Sequence, residues 1–175
     1  MNVWPYIVAI GGPSCSGKTG VAHLLSQAVP GISAVVLPMD AYYRDLAHVD
    51  AADRALSNFD EPAAIEVSLL VSHLQALVRG EGVSRPVYDY VNHTRSHLTE
   101  LVDPVQLVIV EGVLALHWED VRLLSDLRVF IDVPGDVCLQ RRLERDARER
   151  GRTEASVREQ YAATVWPMYQ RYGEP

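Results

Sequence analysis

One stretch near the start constrains the chain more than any other: Gly12-Pro13-Ser14-Cys15-Ser16-Gly17-Lys18-Thr19, which fits the pattern Gly-x-x-x-x-Gly-Lys-[Ser/Thr]. It follows an apolar run, Tyr6 to Ile10. It opens a segment, Gly20 to Val29, in which Val21, Leu24, Leu25 and Ala28 recur at helical spacing. Strand, loop and helix in that order form the context in which this pattern works. Gly12 and Gly17 let successive backbone N–H groups turn toward one anion, and the helix N-terminus adds partial positive charge. Lys18 supplies a point charge for terminal phosphates, and the Thr19 hydroxyl can ligate Mg²⁺. Cys15 reads as a small space-filling residue inside the loop. Residues 12–19 therefore predict a site for a nucleoside triphosphate, ATP or GTP.

Further apolar runs follow at Ala34 to Leu37, Leu107 to Val110 and Arg128 to Val133. Uninterrupted runs of this length suit strands covered on both faces, as in parallel sheets. Helical spacing marks Ala63 to Val78, Trp118 to Leu127, Val137 to Glu149, and Glu154 to about Tyr169. The alternation predicts an α/β fold with three layers around a central parallel sheet. One stretch breaks it. Val83 to Tyr90 and Arg95 to Val102 look extended and are separated by Val91-Asn92-His93-Thr94, which predicts an inserted β-hairpin over about 83–102. With 175 residues, 48% of them apolar and 22% charged, the chain reads as a single domain, 1–175, with a real core.

Charge narrows the partners. The formal charge is −7, from 16 basic and 23 acidic side chains, which is a poor match for holding long polyanions and argues against nucleic acid as a partner. Of the 16 basic residues, 15 are Arg and one, Lys18, is Lys; seven of the arginines fall between Arg141 and Arg158. Two cysteines, Cys15 and Cys138, are too few for a disulfide framework. No stretch approaches the roughly 18 apolar residues of a membrane span, and Met1 to Ile10 lacks the marks of a secretory leader. A cytoplasmic protein without membrane association is expected.

A phosphate loop alone leaves open a kinase for a small hydroxyl compound, a GTPase-type switch and an ATP-driven motor. Other residues favour the kinase. Asp40 lies just past the second apolar run, at the strand end where open α/β sheets bind ligands, and could accept a hydroxyl proton; capping of the next turn is its other reading. Leu107 to Gly112 is an apolar run ending in an acid, Glu111, suited to a water-mediated contact with Mg²⁺. Arg141 to Arg152 holds six Arg against three acids; i,i+4 pairs (Arg142/Asp146, Glu144/Arg148, Arg145/Glu149, Asp146/Arg150) would suit a solvated helix. Gly151 would end that helix, so a lid over about 141–153 that closes positive charge on a phosphoryl group is the preferred reading. Asp60, before Pro62, suits either an N-cap or a substrate contact. Tyr88, Tyr90 and His93 bring two aromatics and a polar tip together in the hairpin, a way to grip a flat heterocycle.

Taken together, GGPSCSGKT at 11–19, PMDAYYR at 38–44, NFDEP at 58–62, PVYDYVNHTR at 86–95, EGVLAL at 111–116 and VFIDVPGDVCLQRRLERDARERGR at 129–152 resemble the uridine/cytidine kinase family. The resemblance implies ATP-dependent phosphorylation of the 5′-hydroxyl of uridine or cytidine in pyrimidine salvage, with Mg²⁺, by a homotetramer. It implies Asp40 as general base, with Lys18, Arg145 and Arg150 at the moving phosphoryl group. Asp60 and Arg142 would hold the ribose, Tyr88, Tyr90 and His93 the pyrimidine, and Arg152 and Gln160 would line the substrate side. The chain departs from the family pattern after Pro62, where Ala63-Ala64-Ile65-Glu66 follows. It also stops at Gly173-Glu174-Pro175, where the family continues with a further strand and helix. Two other readings remain: a sugar-phosphate kinase of the phosphoribulokinase kind, and a nucleotide-binding protein without kinase activity.

Overall fold

The computed structural model of the protein describes residues 5–54 and 56–174. The Met1–Ile10 start read for a leader falls partly outside them, and the terminal Pro175 wholly. The predicted three-layer arrangement is found. Strands β1 (Tyr6–Gly11), β2 (Ala34–Pro38), β5 (Leu107–Glu111) and β6 (Leu127–Phe130) form a parallel sheet in the order β2-β5-β1-β6. Strands β3 (Val83–Asp89) and β4 (Thr94–Val102) pair antiparallel as a separate hairpin, close to the predicted limits. Helices α1 (Lys18–Ala28), α2 (Ala51–Arg54), α3 (Val67–Val78), α4 (Glu119–Leu124), α5 (Gly135–Arg150), α6 (Glu154–Gln160) and α7 (Trp166–Met168) complete the described elements.

Successive strand residues face opposite sides of the sheet, which explains why these runs are apolar throughout. Ile7, Val108 and Val110 pack with Leu70, Leu74 and Leu77 of α3 and Val121 of α4. Val8, Ile10, Leu107 and Ile109 pack instead on α1, through Ala22 and Leu25. A smaller cluster of Cys138, Tyr161 and Val165, with Trp166 against it, joins α5 to the C-terminal helices. Within it the Tyr161 hydroxyl donates to the Gly135 carbonyl at 2.9 Å.

Three helices differ from expectation, two of them for reasons that lie far away in the chain. The helix expected from Ala63 starts at Val67 because Ile65 bridges to Tyr43; Arg44 N–H donates to Ala64 O (2.8 Å) and Glu66 N–H to Tyr42 O (2.9 Å). The helix expected to reach Leu127 ends at Leu124. There the Asp126 carboxylate accepts from Ile7 N–H at 2.7 Å, and Asp126 N–H donates to Ile7 O at 2.9 Å, drawing the chain into β6. The last helical stretch runs past Tyr169 but is interrupted by π-helical turns at Tyr161–Val165 and Tyr169–Gly173, which flank Pro167, a residue with no N–H to give the helix. The fourth strand is also shorter than expected, ending at Phe130, before Val133 and Pro134 lead into α5.

Gly12 sets the path from β1 into the loop. Its φ is +144°, and an added Cβ would meet the Ile131 carbonyl oxygen at 2.5 Å. Gly12→Ala is expected to destabilise the fold by about 1–3 kcal/mol. Urea unfolding would register this as a lower midpoint with an unchanged slope; an unchanged midpoint would mean that the loop can be displaced freely.

Candidate active site

The sheet register assembles the site. Ile10 pairs with Glu111 and Pro38 also pairs with Glu111, so β1, β5 and β2 end together. The loop 12–19, the Glu111 carboxylate and the turn bearing Asp40 therefore share one edge, as the strand ends predicted. Left-handed backbone at Gly17 (φ 101°) and Cys15 (φ 63°) curls the loop, and Ser16 N–H closes it on Pro13 O at 3.1 Å. Lys18 is 7% exposed, and its ammonium donates to the Pro13 carbonyl at 2.7 Å. Burial pushes the Lys18 ammonium below its usual pKa, opposed by the nearby Glu111 and Asp40 carboxylates. Glu111 is buried, and its carboxylate accepts from the Thr19 hydroxyl at 3.0 Å. Burial raises the Glu111 pKa, reinforced by Asp40 and opposed by Lys18.

Asp40 lies in a 3₁₀ turn, Met39–Tyr42, and its side chain caps nothing, which removes the alternative of a purely capping role. Protein packed around it raises its pKa by desolvation, against the pull of Lys18, Arg150, Arg145 and Arg142. Arg95 of the hairpin braces this turn. Its Nε donates to Tyr43 O (2.9 Å), its Nη2 to Tyr42 O (3.2 Å), and its Nη1 pairs with Glu66 at 2.6 Å. Asp60 is likewise not an N-cap: its Oδ2 accepts from the Thr164 hydroxyl at 3.2 Å, and burial raises its pKa.

A cavity of about 790 Å³ opens beside the loop. Asp40 and Asp60 lie on its wall, as do Tyr88, Tyr90 and His93 of the hairpin. Arg142, Arg145, Arg150, Arg152 and Gln160 line the same cavity. Ser14 is the loop residue that reaches this cavity, and its hydroxyl accepts from Arg142 Nη1 at 2.9 Å. Arg142 and Arg152 both donate to the Gln160 side-chain oxygen, Arg142 at 3.2 Å. Lys18, Thr19 and Glu111 lie at the loop itself rather than on the cavity lining.

Two aromatic residues that sequence reasoning did not single out complete the wall. Phe59 stacks on His93 at 4.7 Å, and Tyr43 packs edge-on to Phe59 at 5.4 Å and against Tyr88 at 5.3 Å. His93 reaches Phe59 from a left-handed backbone (φ 55°) in the hairpin turn. A flat, mostly uncharged ring would lie against such side chains, with carboxylates and amide groups left for hydroxyls.

The arginine-rich helix is not the solvated helix that its i,i+4 spacing would allow. Two of the four anticipated pairs form, Arg142–Asp146 at 3.6 Å and Arg150–Asp146 at 3.7 Å; Arg148 pairs with Glu149 instead. Asp146 is completely buried, and the helix ends where anticipated, at Gly151 with φ 61°. Mg²⁺ suits the oxygen donors gathered at the loop, a hydroxyl on Thr19 and carboxylates on Glu111 and Asp40.

Residues 7–175 match the model of the phosphoribulokinase/uridine kinase family. The uridine kinase of Leuconostoc citreum (strain KM20) is 44% identical over 177 residues, covering 100% of this chain and 84% of that protein. The uridine kinase of Escherichia coli (strain K12) is 43% identical over 175 residues, covering 97% and 81%. Among solved structures, phosphoribulokinase from Rhodobacter spheroides superposes with a TM-score of 0.64 over 98% of this chain and 69% of that one, at 16% identity, a likeness of fold alone.

The raised Glu111 pKa carries a stability consequence. A carboxyl group whose pKa is higher in the folded than in the unfolded state weakens the fold once ionised, and that loss disappears as pH falls to the ordinary value of 4.5. Glu111→Gln, measured with EDTA present, is expected to raise Tm at pH 7.5, by an amount that shrinks steadily toward pH 4.5. A lower Tm at pH 7.5 would show that the charge on Glu111 supports the fold through Lys18.

Proposed function

The chain belongs to the phosphoribulokinase/uridine kinase family, and from the cavity beside its phosphate loop we propose that it transfers the γ-phosphoryl group of ATP to the 5′-hydroxyl of uridine or cytidine. The observation that carries this reading is the one cavity that brings the aromatic residues Tyr43, Phe59, Tyr88 and His93 together with Asp60, Arg142, Gln160 and Asp40. A pyrimidine against this aromatic wall places ribose hydroxyls against Asp60 and Arg142, and the 5′-hydroxyl toward Asp40. The two uridine kinases reported above, similar over nearly the whole chain, support the same acceptor.

In this reading the backbone N–H groups of residues 12–19 and Lys18 hold the β- and γ-phosphates. The Asp40 carboxylate takes the proton of the 5′-hydroxyl as its oxygen bonds to the γ-phosphorus; the bond to the β–γ bridging oxygen breaks, and ADP leaves with that electron pair. Arg145 and Arg150 face the moving charge from α5, and Arg152 and Gln160 close the substrate side. Thr19 and Glu111 would hold Mg²⁺, which when bound neutralises charge on the β and γ oxygens. ATP as donor, a homotetrameric assembly and a cytoplasmic address belong to the same proposal and rest on family membership. No described helix is long and apolar enough to cross a membrane.

Asp40→Asn is expected to lower turnover with uridine by about 10²-fold or more while ATP still binds. A coupled assay of ADP release with parallel ATP titration tests this; unimpaired turnover would remove Asp40 from its role. In the unmodified protein, kcat/KM should fall on the acid side as Asp40 becomes protonated. Because the protein packed around the mouth of the cavity raises the Asp40 pKa by desolvation, that fall should be centred above the ordinary value of 3.8. A pH profile flat down to 3.8 would contradict Asp40 as the base.

A further inference from the structure

Asp146 is the most buried charged side chain in the described chain, at 0% exposure, and the phosphoryl-transfer scheme makes no use of it. Its two oxygens face different groups of arginines. Oδ1 accepts from Arg145, at 2.9 Å from Nε and 2.8 Å from Nη2, and lies 3.7 Å from Arg150 Nε. Oδ2 lies 3.6 Å from Arg142 Nε and 3.8 Å from Arg152 Nη1 and has no hydrogen bond; Arg142 Nε is also unpartnered. The arginines on Oδ1 are those assigned to the phosphates, and the arginines on Oδ2 are those assigned to the nucleoside.

We propose that Asp146 is a positioning residue that couples the donor and nucleoside subsites by exchanging its hydrogen bonds between the two pairs of arginines. The inference rests on the nucleoside kinase reading. One carboxylate cannot fully satisfy four guanidinium groups, and the hydrogen bonds of this one come from Arg145. Donor phosphates compete for Arg145 and Arg150, both of which line the cavity. As they leave Oδ1, a buried carboxylate with few partners becomes costly. Closing the 3.6 Å gap to Arg142 and the 3.8 Å gap to Arg152 restores its hydrogen bonds. That movement adds a second anchor to Arg142 and Arg152, which already donate to Gln160, and so holds them rigidly where ribose would bind. Linkage makes the effect reciprocal, so bound nucleoside should tighten the donor by the same factor.

Uridine titrated calorimetrically into the unmodified protein, with and without a non-hydrolysable ATP analogue and Mg²⁺, measures the coupling. The analogue is expected to lower the uridine Kd about fivefold or more. In Asp146→Asn, checked for folding by its thermal melt, the two Kd values should agree within about twofold. A purely structural Asp146 would change Tm and leave the ratio intact, and that result overturns the inference. If the variant does not fold, inorganic tripolyphosphate replaces the analogue with the unmodified protein: tighter uridine binding supports the coupling, and no change overturns it. Absence of any uridine binding to the unmodified protein overturns the nucleoside reading itself, a different outcome from retained coupling in the variant.

Discussion

A lysine ammonium held with little access to water has to be surrounded by oxygen atoms, and the fold around Lys18 follows from that requirement. The Pro13 carbonyl at 2.7 Å gives one partner, and Glu111 and Asp40 give two carboxylates from neighbouring strands. Those strands end level because Ile10 and Pro38 both pair with Glu111. The buried charge lowers the pKa of the lysine and is lowered in cost by acids whose own pKa values are raised. Such a cluster favours an arriving polyphosphate and metal ion, whose charges complement the ammonium and the carboxylates directly.

The remaining elements bring the acceptor to that cluster. The hairpin supplies aromatic faces, and Arg95, at the start of β4, ties it to the turn that carries Asp40 through the Tyr42 and Tyr43 carbonyls. The C-terminal helices supply Gln160 and Thr164, which reach Arg142 and Asp60. Arg142 donates to Ser14 of the loop, so α5 meets the phosphate side and the acceptor side through one guanidinium. Net negative charge in the chain is compatible with this because seven of the fifteen arginines are gathered between Arg141 and Arg158.

The loop, the sheet and the hairpin were legible in the sequence because their signals are local: glycine and lysine spacing, unbroken apolar runs and a turn between extended segments. Asp40, Asp60, Tyr88, Tyr90, His93 and Arg142 were legible through motif resemblance, and the structure brings them to one cavity. What escaped depends on distant partners. Phe59 looked like an ordinary apolar residue beside Asp60 until His93 was stacked on it. Asp146 was legible as an i,i+4 partner of Arg142 and Arg150 on one helix, but its complete burial and the further contacts of Arg145 and Arg152 with it were not. The late start at Val67 and the early stop at Leu124 come from bonds to Tyr42, Tyr43 and Ile7, which no local window contains.

The central claim is that the aromatic cavity delivers a pyrimidine nucleoside 5′-hydroxyl to the phosphate loop. Phosphorus-31 NMR of a reaction containing ATP, Mg²⁺ and either uridine, cytidine or ribulose 5-phosphate tests it most directly, because it shows which oxygen receives the phosphoryl group. The account predicts uridine or cytidine 5′-monophosphate formed in equal amount with ADP. Phosphorylation of ribulose 5-phosphate alone, or ADP released with inorganic phosphate and no nucleotide product, would contradict it.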